Sequence, residues 1–144
     1  MCGIVGLFLK DKALEPKLGE MLTNMLITMT DRGPDSAGIA IYGGADTGKA
    51  KLTVQSDTPD ISFEKLENRL RKAIKGKVEM TVKDTHAVLL IDADQIDAAR
   101  AFLTENAPEV RVMSRVESLE IFKEVGLPKN VAQRFDVARM SGTH

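Results

Sequence analysis

The sequence predicts an α+β chain in which a compact α/β unit is inserted between two stretches of a second domain, and three observations predict it. Residues 50–113 read as strand, helix, strand, strand, helix, strand, the order of the ferredoxin-like βαββαβ unit. The stretches on either side, 1–44 and 115–144, carry their own apolar patterns. With 43% hydrophobic and 28% charged residues over 144 positions, the chain has the balance of a folded protein with a packed core rather than a disordered one.

Taken in order, residues 3–9 are a near-continuous apolar run and predict a buried strand, with Gly3 and Gly6 permitting close backbone approach. A helix is expected at about 15–30, with Pro16 in its first turn. Leu18, Met21, Leu22, Met25, Leu26 and Met29 make one apolar face, which casts the methionines as core. Gly33 in a left-handed conformation and Pro34 would end it. Ser36–Tyr42 follows as a strand.

In the inserted unit, Lys51–Gln55 alternates as a strand, and a helix at 61–75 presents Phe63, Leu66, Leu70 and Ile74 before stopping at Gly76. Lys77–Lys83 alternates as an antiparallel strand with one wet face, and Asp84-Thr85 turns the chain into the buried strand His86–Ile91. Ile96, Ala99, Phe102 and Leu103 line the next helix, and Val110 and Val112 close the unit. Beyond it, Leu119 with Phe122, and Val131 with Phe135, predict two short helical pieces. The domain boundaries so read are 1–44, 45–114 and 115–144.

Charge and composition exclude several function classes. Twenty Lys and Arg stand against 21 Asp and Glu, which leaves no electrostatic footprint for nucleic acid or an anionic membrane. Trp is absent and aromatics are 4% of the chain, too few for stacking platforms. No basic stretch precedes the first apolar run and no run is long enough to span a bilayer, so a cytoplasmic protein is expected. The single cysteine excludes an internal disulfide.

Two motifs fail on their neighbours. Gly43–Lys49 has the spacing of a phosphate loop, but Ala50 stands where a Ser or Thr would hold magnesium, and a strand follows instead of a helix. Asp92 and Asp94 end an apolar strand as a phosphatase pair would, yet Gln95 and Ile96 follow, so helix capping is the expected role. His86 and His144 lack Cys or acidic companions at ligand spacing, and neither a metal nor a cofactor is expected.

The third motif is chemically consistent. A small residue after Met1 favours removal of the initiator methionine, leaving Cys2 with a thiol and a free α-amino group. An α-amino group has an unperturbed pKa of about 7.7–8.0, at which a useful fraction is neutral at cellular pH and can accept the thiol proton.

The segments Met1-Cys2-Gly3-Ile4-Val5-Gly6 and Asp31-Arg32-Gly33-Pro34-Asp35-Ser36-Ala37-Gly38 resemble those of the class II, N-terminal-nucleophile (Ntn) glutamine amidotransferases. Within them, the likeness is to the amidotransferase subunit of glutamate-synthase-like systems, including those making N-methylglutamate. The resemblance covers 1–44 and, less fully, 110–144. It implies the first part of an αββα Ntn sandwich interrupted by the ferredoxin-like unit. It also implies hydrolysis of glutamine to glutamate and ammonia through a thioester on Cys2. Arg32, Gly33 and Asp35 would bind substrate or support the site, a synthase subunit would receive the ammonia, and the remainder of the glutaminase domain would be a partner. In the family, the stretch like Ser141–His144 runs into an arginine-bearing segment that holds the glutamine carboxylate. The sequence stops before it, so this chain alone is expected to be truncated and of low activity. The alternative reading is a non-catalytic module whose ferredoxin-like unit binds a small molecule or docks a partner.

Overall fold

A computed structural model describes residues 3–43, 48–114 and 118–144. It is mixed α and β with antiparallel pairing, and the chain divides into two compact units, Met1–Gly44 with Ile121–His144, and Ala45–Glu120.

In the first unit, the Asp11 side chain accepts from the Ala13 N–H at 2.9 Å and starts a 3-10 turn at Lys12–Lys17, which leads into α1 (Leu18–Thr28). A second 3-10 turn, Thr30–Arg32, takes the chain out of α1 and into β1 (Ser36–Tyr42). Strict alternation of β1 buries Ala37, Ile39 and Ile41 and leaves Ser36, Gly38, Ala40 and Tyr42 exposed. β1 pairs with β6 (Leu119–Val125), after which Pro128 opens α5 (Pro128–Arg134) at its first position. Phe122 and Phe135 are fully buried with ring centroids 5.2 Å apart, and with Leu18, Ile41 and Val137 they form the core of this unit. Gly19 is required by close approach. Its N–H donates to the Met140 carbonyl at 3.0 Å, and a β-carbon there would lie 2.0 Å from the Val137 carbonyl oxygen.

The second unit runs β2 (Lys49–Gln55), α2 (Pro59–Phe63), α3 (Leu66–Ala73), β3 (Val78–Lys83), β4 (His86–Asp92), α4 (Ile96–Asn106) and β5 (Arg111–Val112). Its sheet has the order β3-β4-β2-β5, and each neighbouring pair is antiparallel, with Leu52 opposite Leu89 and Met80 opposite Leu89. One face carries Ala50, Leu52, Val54, Val78, Ala87, Leu89 and Ile91, and these pack with Phe63, Leu66, Leu70, Ala99 and Leu103 from the helices. The alternation that put every second residue inward is what sets this register.

Several expectations are corrected. Residues 3–9 form no strand and are largely exposed, with Ile4 95% and Phe8 65% accessible. A strand is held by ladder bonds, and among the described residues the one backbone bond of this stretch is Leu9 N–H to Thr143 C=O, 2.9 Å. The methionines of α1 are only half-buried and do not form a core. Gly33 has φ −165°, ordinary extended backbone, since the Thr30–Arg32 turn already ends the helix. Leu119–Val125 is a strand, not a helix: Leu119 and Phe122 are both buried, but β1 offers an edge to pair with. The single helix expected at 61–75 is two, broken at Glu64-Lys65, so that Phe63 and Leu66 both reach the core.

Candidate functional site

Cys2 lies outside the described residues, so the site is built from its neighbour Gly3 and from the Asp31–Gly38 segment. The path of that segment is set locally. Thr30 Oγ1 donates to the Ile27 carbonyl at 2.6 Å, Arg32 N–H to the Met29 carbonyl at 2.9 Å, and Gly33 N–H to the Thr30 carbonyl at 3.2 Å. The first satisfies an orphan carbonyl at the end of α1, and the other two close the Thr30–Arg32 turn. Pro34, lacking an N–H, carries it on, and the Asp35 carbonyl accepts from Gly126 N–H at 2.8 Å. The Arg32 and Asp35 side chains are exposed and form no ion pair among the described residues.

Gly3 runs against this turn. A β-carbon on Gly3 would lie 3.2 Å from Arg32 Cβ and 2.4 Å from Met29 Cε. The two sequence segments that carry the family resemblance therefore meet at Gly3 and Arg32, although 29 positions separate these residues. Gly3 is also one end of a groove of about 570 Å³, lined by Leu22 and Leu26 of α1, by Met29 just after it, and by Gly38 to Ala40 of β1. Its far end is aromatic: the His144 ring stacks on Tyr42 at 4.4 Å and 13°, and lies 5.3 Å from Phe8. Sequence reasoning missed this trio, because residues 8, 42 and 144 share no spacing and are joined only by the tertiary fold.

The discarded motifs have structural roles in the second unit. Gly44–Thr47 of the phosphate-loop match lies outside the described residues, whereas Lys49 Nζ sits 2.5 Å from Asp92 Oδ1. Asp92 also accepts the Lys77 N–H at 3.2 Å and caps no helix, which corrects the capping expectation. The hydrogen bond from Lys49, then that from Lys77 N–H, holds its carboxyl below the usual carboxylate range. His86 is buried on β4 with Nδ1 3.1 Å from Thr85 Oγ1. Among the described residues, no group of three His, Cys, Asp or Glu side chains could hold a metal ion, and no helix is long and apolar enough to cross a membrane.

Comparison with known proteins adds two relatives. No protein-family model matches the chain. Over its whole length, the chain is 58% identical to the glutamine amidotransferase-like protein GlxB of Rhizobium meliloti (strain 1021), covering 48% of that protein. It is 30% identical, again over its whole length, to a protein of Methanothermobacter thermautotrophicus named provisionally as a glutamine amidotransferase, covering 50% of it. The chain thus spans about half the length of the curated relatives it matches.

Proposed function

We propose that this chain is the nucleophile-bearing part of a class II glutamine amidotransferase, which releases ammonia from glutamine and passes it to a synthase partner. The observation that carries the reading is the end-to-end similarity to two proteins bearing a glutamine amidotransferase name, in a chain whose second residue is cysteine. The approach of Gly3 to Arg32 supports it, since the loop that the family resemblance places beside the nucleophile runs next to the residue after Cys2.

In this mechanism, Met1 is removed and the α-amino group of Cys2 takes the proton from its own thiol. The thiolate attacks the side-chain carbonyl carbon of glutamine, and a tetrahedral oxyanion forms. As it collapses, the C–N bond breaks, the nitrogen takes the proton held by the amine, and ammonia leaves. Water then hydrolyses the γ-glutamyl thioester to glutamate and restores the thiol. On this reading Arg32, Gly33 and Asp35 bind substrate or support the site, and the Arg32 and Asp35 side chains are exposed. A reducing cytoplasm suits the mechanism, because the thiol must stay free.

The fold reading belongs with this proposal: the first unit is part of an Ntn αββα sandwich, and residues 45–114 are a ferredoxin-like insertion. The antiparallel order β3-β4-β2-β5 and the division of the chain at Gly44 support it. The test is ammonia release from glutamine by the native protein. Cys2→Ala is expected to lower the rate by at least about 10³-fold, as loss of a covalent nucleophile does. Full activity in that variant overturns the mechanism.

A further inference from the structure

The strand β3 is an edge of its sheet, since the order β3-β4-β2-β5 gives it one neighbour. The opposite edge, β5, has two residues, whereas β3 has six. Proteins keep sheet edges from pairing with other chains by shortening them, or by placing a proline or a bulge in them. None of these devices is present in β3. It contains no proline, and the positive-φ residues nearest to it, Gly76 and Asp84, stand outside it.

The open side of β3 is carried by Val78, Met80 and Val82. Lys83 faces His86 across the two-residue turn Asp84-Thr85, so these two exchange ladder bonds, and alternation gives the same inward role to Thr81 and Glu79. The Val78 carbonyl, by contrast, accepts from Arg71 Nη2 of α3 at 2.9 Å. Among the described residues, Met80 and Val82 make no backbone bond outside the ladder. The side chains divide between the two faces of the sheet. Met80 and Val82 share the helix-covered face with Val78, where Met80 packs against the core and Val82 is left 50% exposed. Glu79, Thr81 and Lys83 lie on the other face.

We infer that β3 pairs antiparallel with β3 of a second copy of this chain, about a twofold axis at Thr81. In this register Met80 and Val82 of the second copy exchange both backbone bonds, and both residues are of the outward kind. Their side chains meet as an apolar pair that covers the exposed half of Val82. On the other face Glu79 stands opposite Lys83 of the second copy. The twofold axis repeats each pair, so both rows of the strand are complementary to themselves. Lys83 also has a contact within its own chain, and an ammonium with several donors can hold a further carboxylate. Moving the axis to Met80 would set Lys83 against Lys77 of the second copy, and moving it to Val82 would set Glu79 against Thr85, so charge selects Thr81. An edge this short buries less than a standard interface, so the dimer is expected at micromolar and not nanomolar concentration. This pairing is independent of the glutaminase chemistry and of the Ntn fold reading.

Sedimentation and amide exchange of the whole 144-residue chain test it. Between about 5 µM and about 500 µM the chain should pass from monomer to dimer. The amides of Met80 and Val82 should exchange at least about fivefold more slowly at the upper concentration, and that of Thr81, bonded to β4 in either state, should change less. Glu79→Lys sets two lysines opposite each other and should weaken the dimer by at least about tenfold. Adding Lys83→Glu to it restores opposite charges and should bring the affinity back to within about threefold of the parent. Ile61→Asp, at a position 79% exposed on α2, should leave the dimer unchanged. Circular dichroism checks that the variants stay folded. If the double variant does not fold, Val82→Asp takes its place, with an expected loss of about tenfold or more. A chain still monomeric at about 500 µM overturns the inference. So does a dimer that leaves the Met80 and Val82 amides fast, that ignores Glu79→Lys or Val82→Asp, that a folded charge-swapped double variant fails to restore, or that Ile61→Asp disrupts. None of these readings involves ammonia, so the dimer and the glutaminase reading stand or fall separately.

Discussion

Asp92 shows how one residue can resemble a catalytic group and serve another end. It closes β4 where a nucleophile or a cap would stand, yet it holds the Lys49 ammonium and the Lys77 N–H, tying the first residue of β2 to the residue before β3. Its folded-state pKa lies below the unfolded value of about 3.9, so this stabilisation is present above about pH 4 and is lost as pH falls through the folded-state pKa. Asp92→Asn should therefore lower the melting temperature at neutral pH, and the gap from the parent should close under acid. Thermal melts of both proteins from pH 2 to 7 check it, and a gap independent of pH would contradict it. The same residue marks a limit of sequence reading. Its partners lie 43 and 15 positions away, so spacing alone favoured a cap.

Elements were legible where their partners were close in sequence. The hairpin of β3 and β4 turns at Asp84-Thr85 as expected, and β1 spans Ser36–Tyr42 as expected. β6 was not legible: the spacing of Leu119 and Phe122 fits a helix, and only β1, about 80 positions earlier, makes it a strand. Residues 3–9 show the reverse case, an apolar run that joins no strand, its one backbone bond among the described residues being Leu9 N–H to the Thr143 carbonyl. α1 carries a prediction of its own. In an exposed helix, Gly→Ala gains stability, by up to about 1 kcal/mol. At Gly19 the added carbon meets two backbone carbonyls, those of Val137 and Met140, so the helix or the Val137–Arg139 turn must move. Gly19→Ala should cost about 1–3 kcal/mol, as overpacking does. That is a fall of roughly 3–10 °C in melting temperature, and an unchanged or higher value would show that the contact is loose.

At the scale of the whole molecule, the two units differ in how much of themselves the sequence disclosed. The core of the second unit draws only on residues 50–112, so local periodicity was enough to read it. The first unit joins residues 1–44 to 121–144, and its groove and its aromatic trio arise from that union. The candidate nucleophile was visible only because its position, rather than its surroundings, carries the chemistry. The most direct measurement of that claim is the intact mass of the native protein before and after exposure to a glutamine-analogue electrophile. The account predicts a chain lacking Met1 that gains one adduct, located on Cys2 and prevented by excess glutamine. A chain that keeps Met1, or an adduct on any other residue in a protein that still releases ammonia, would contradict it.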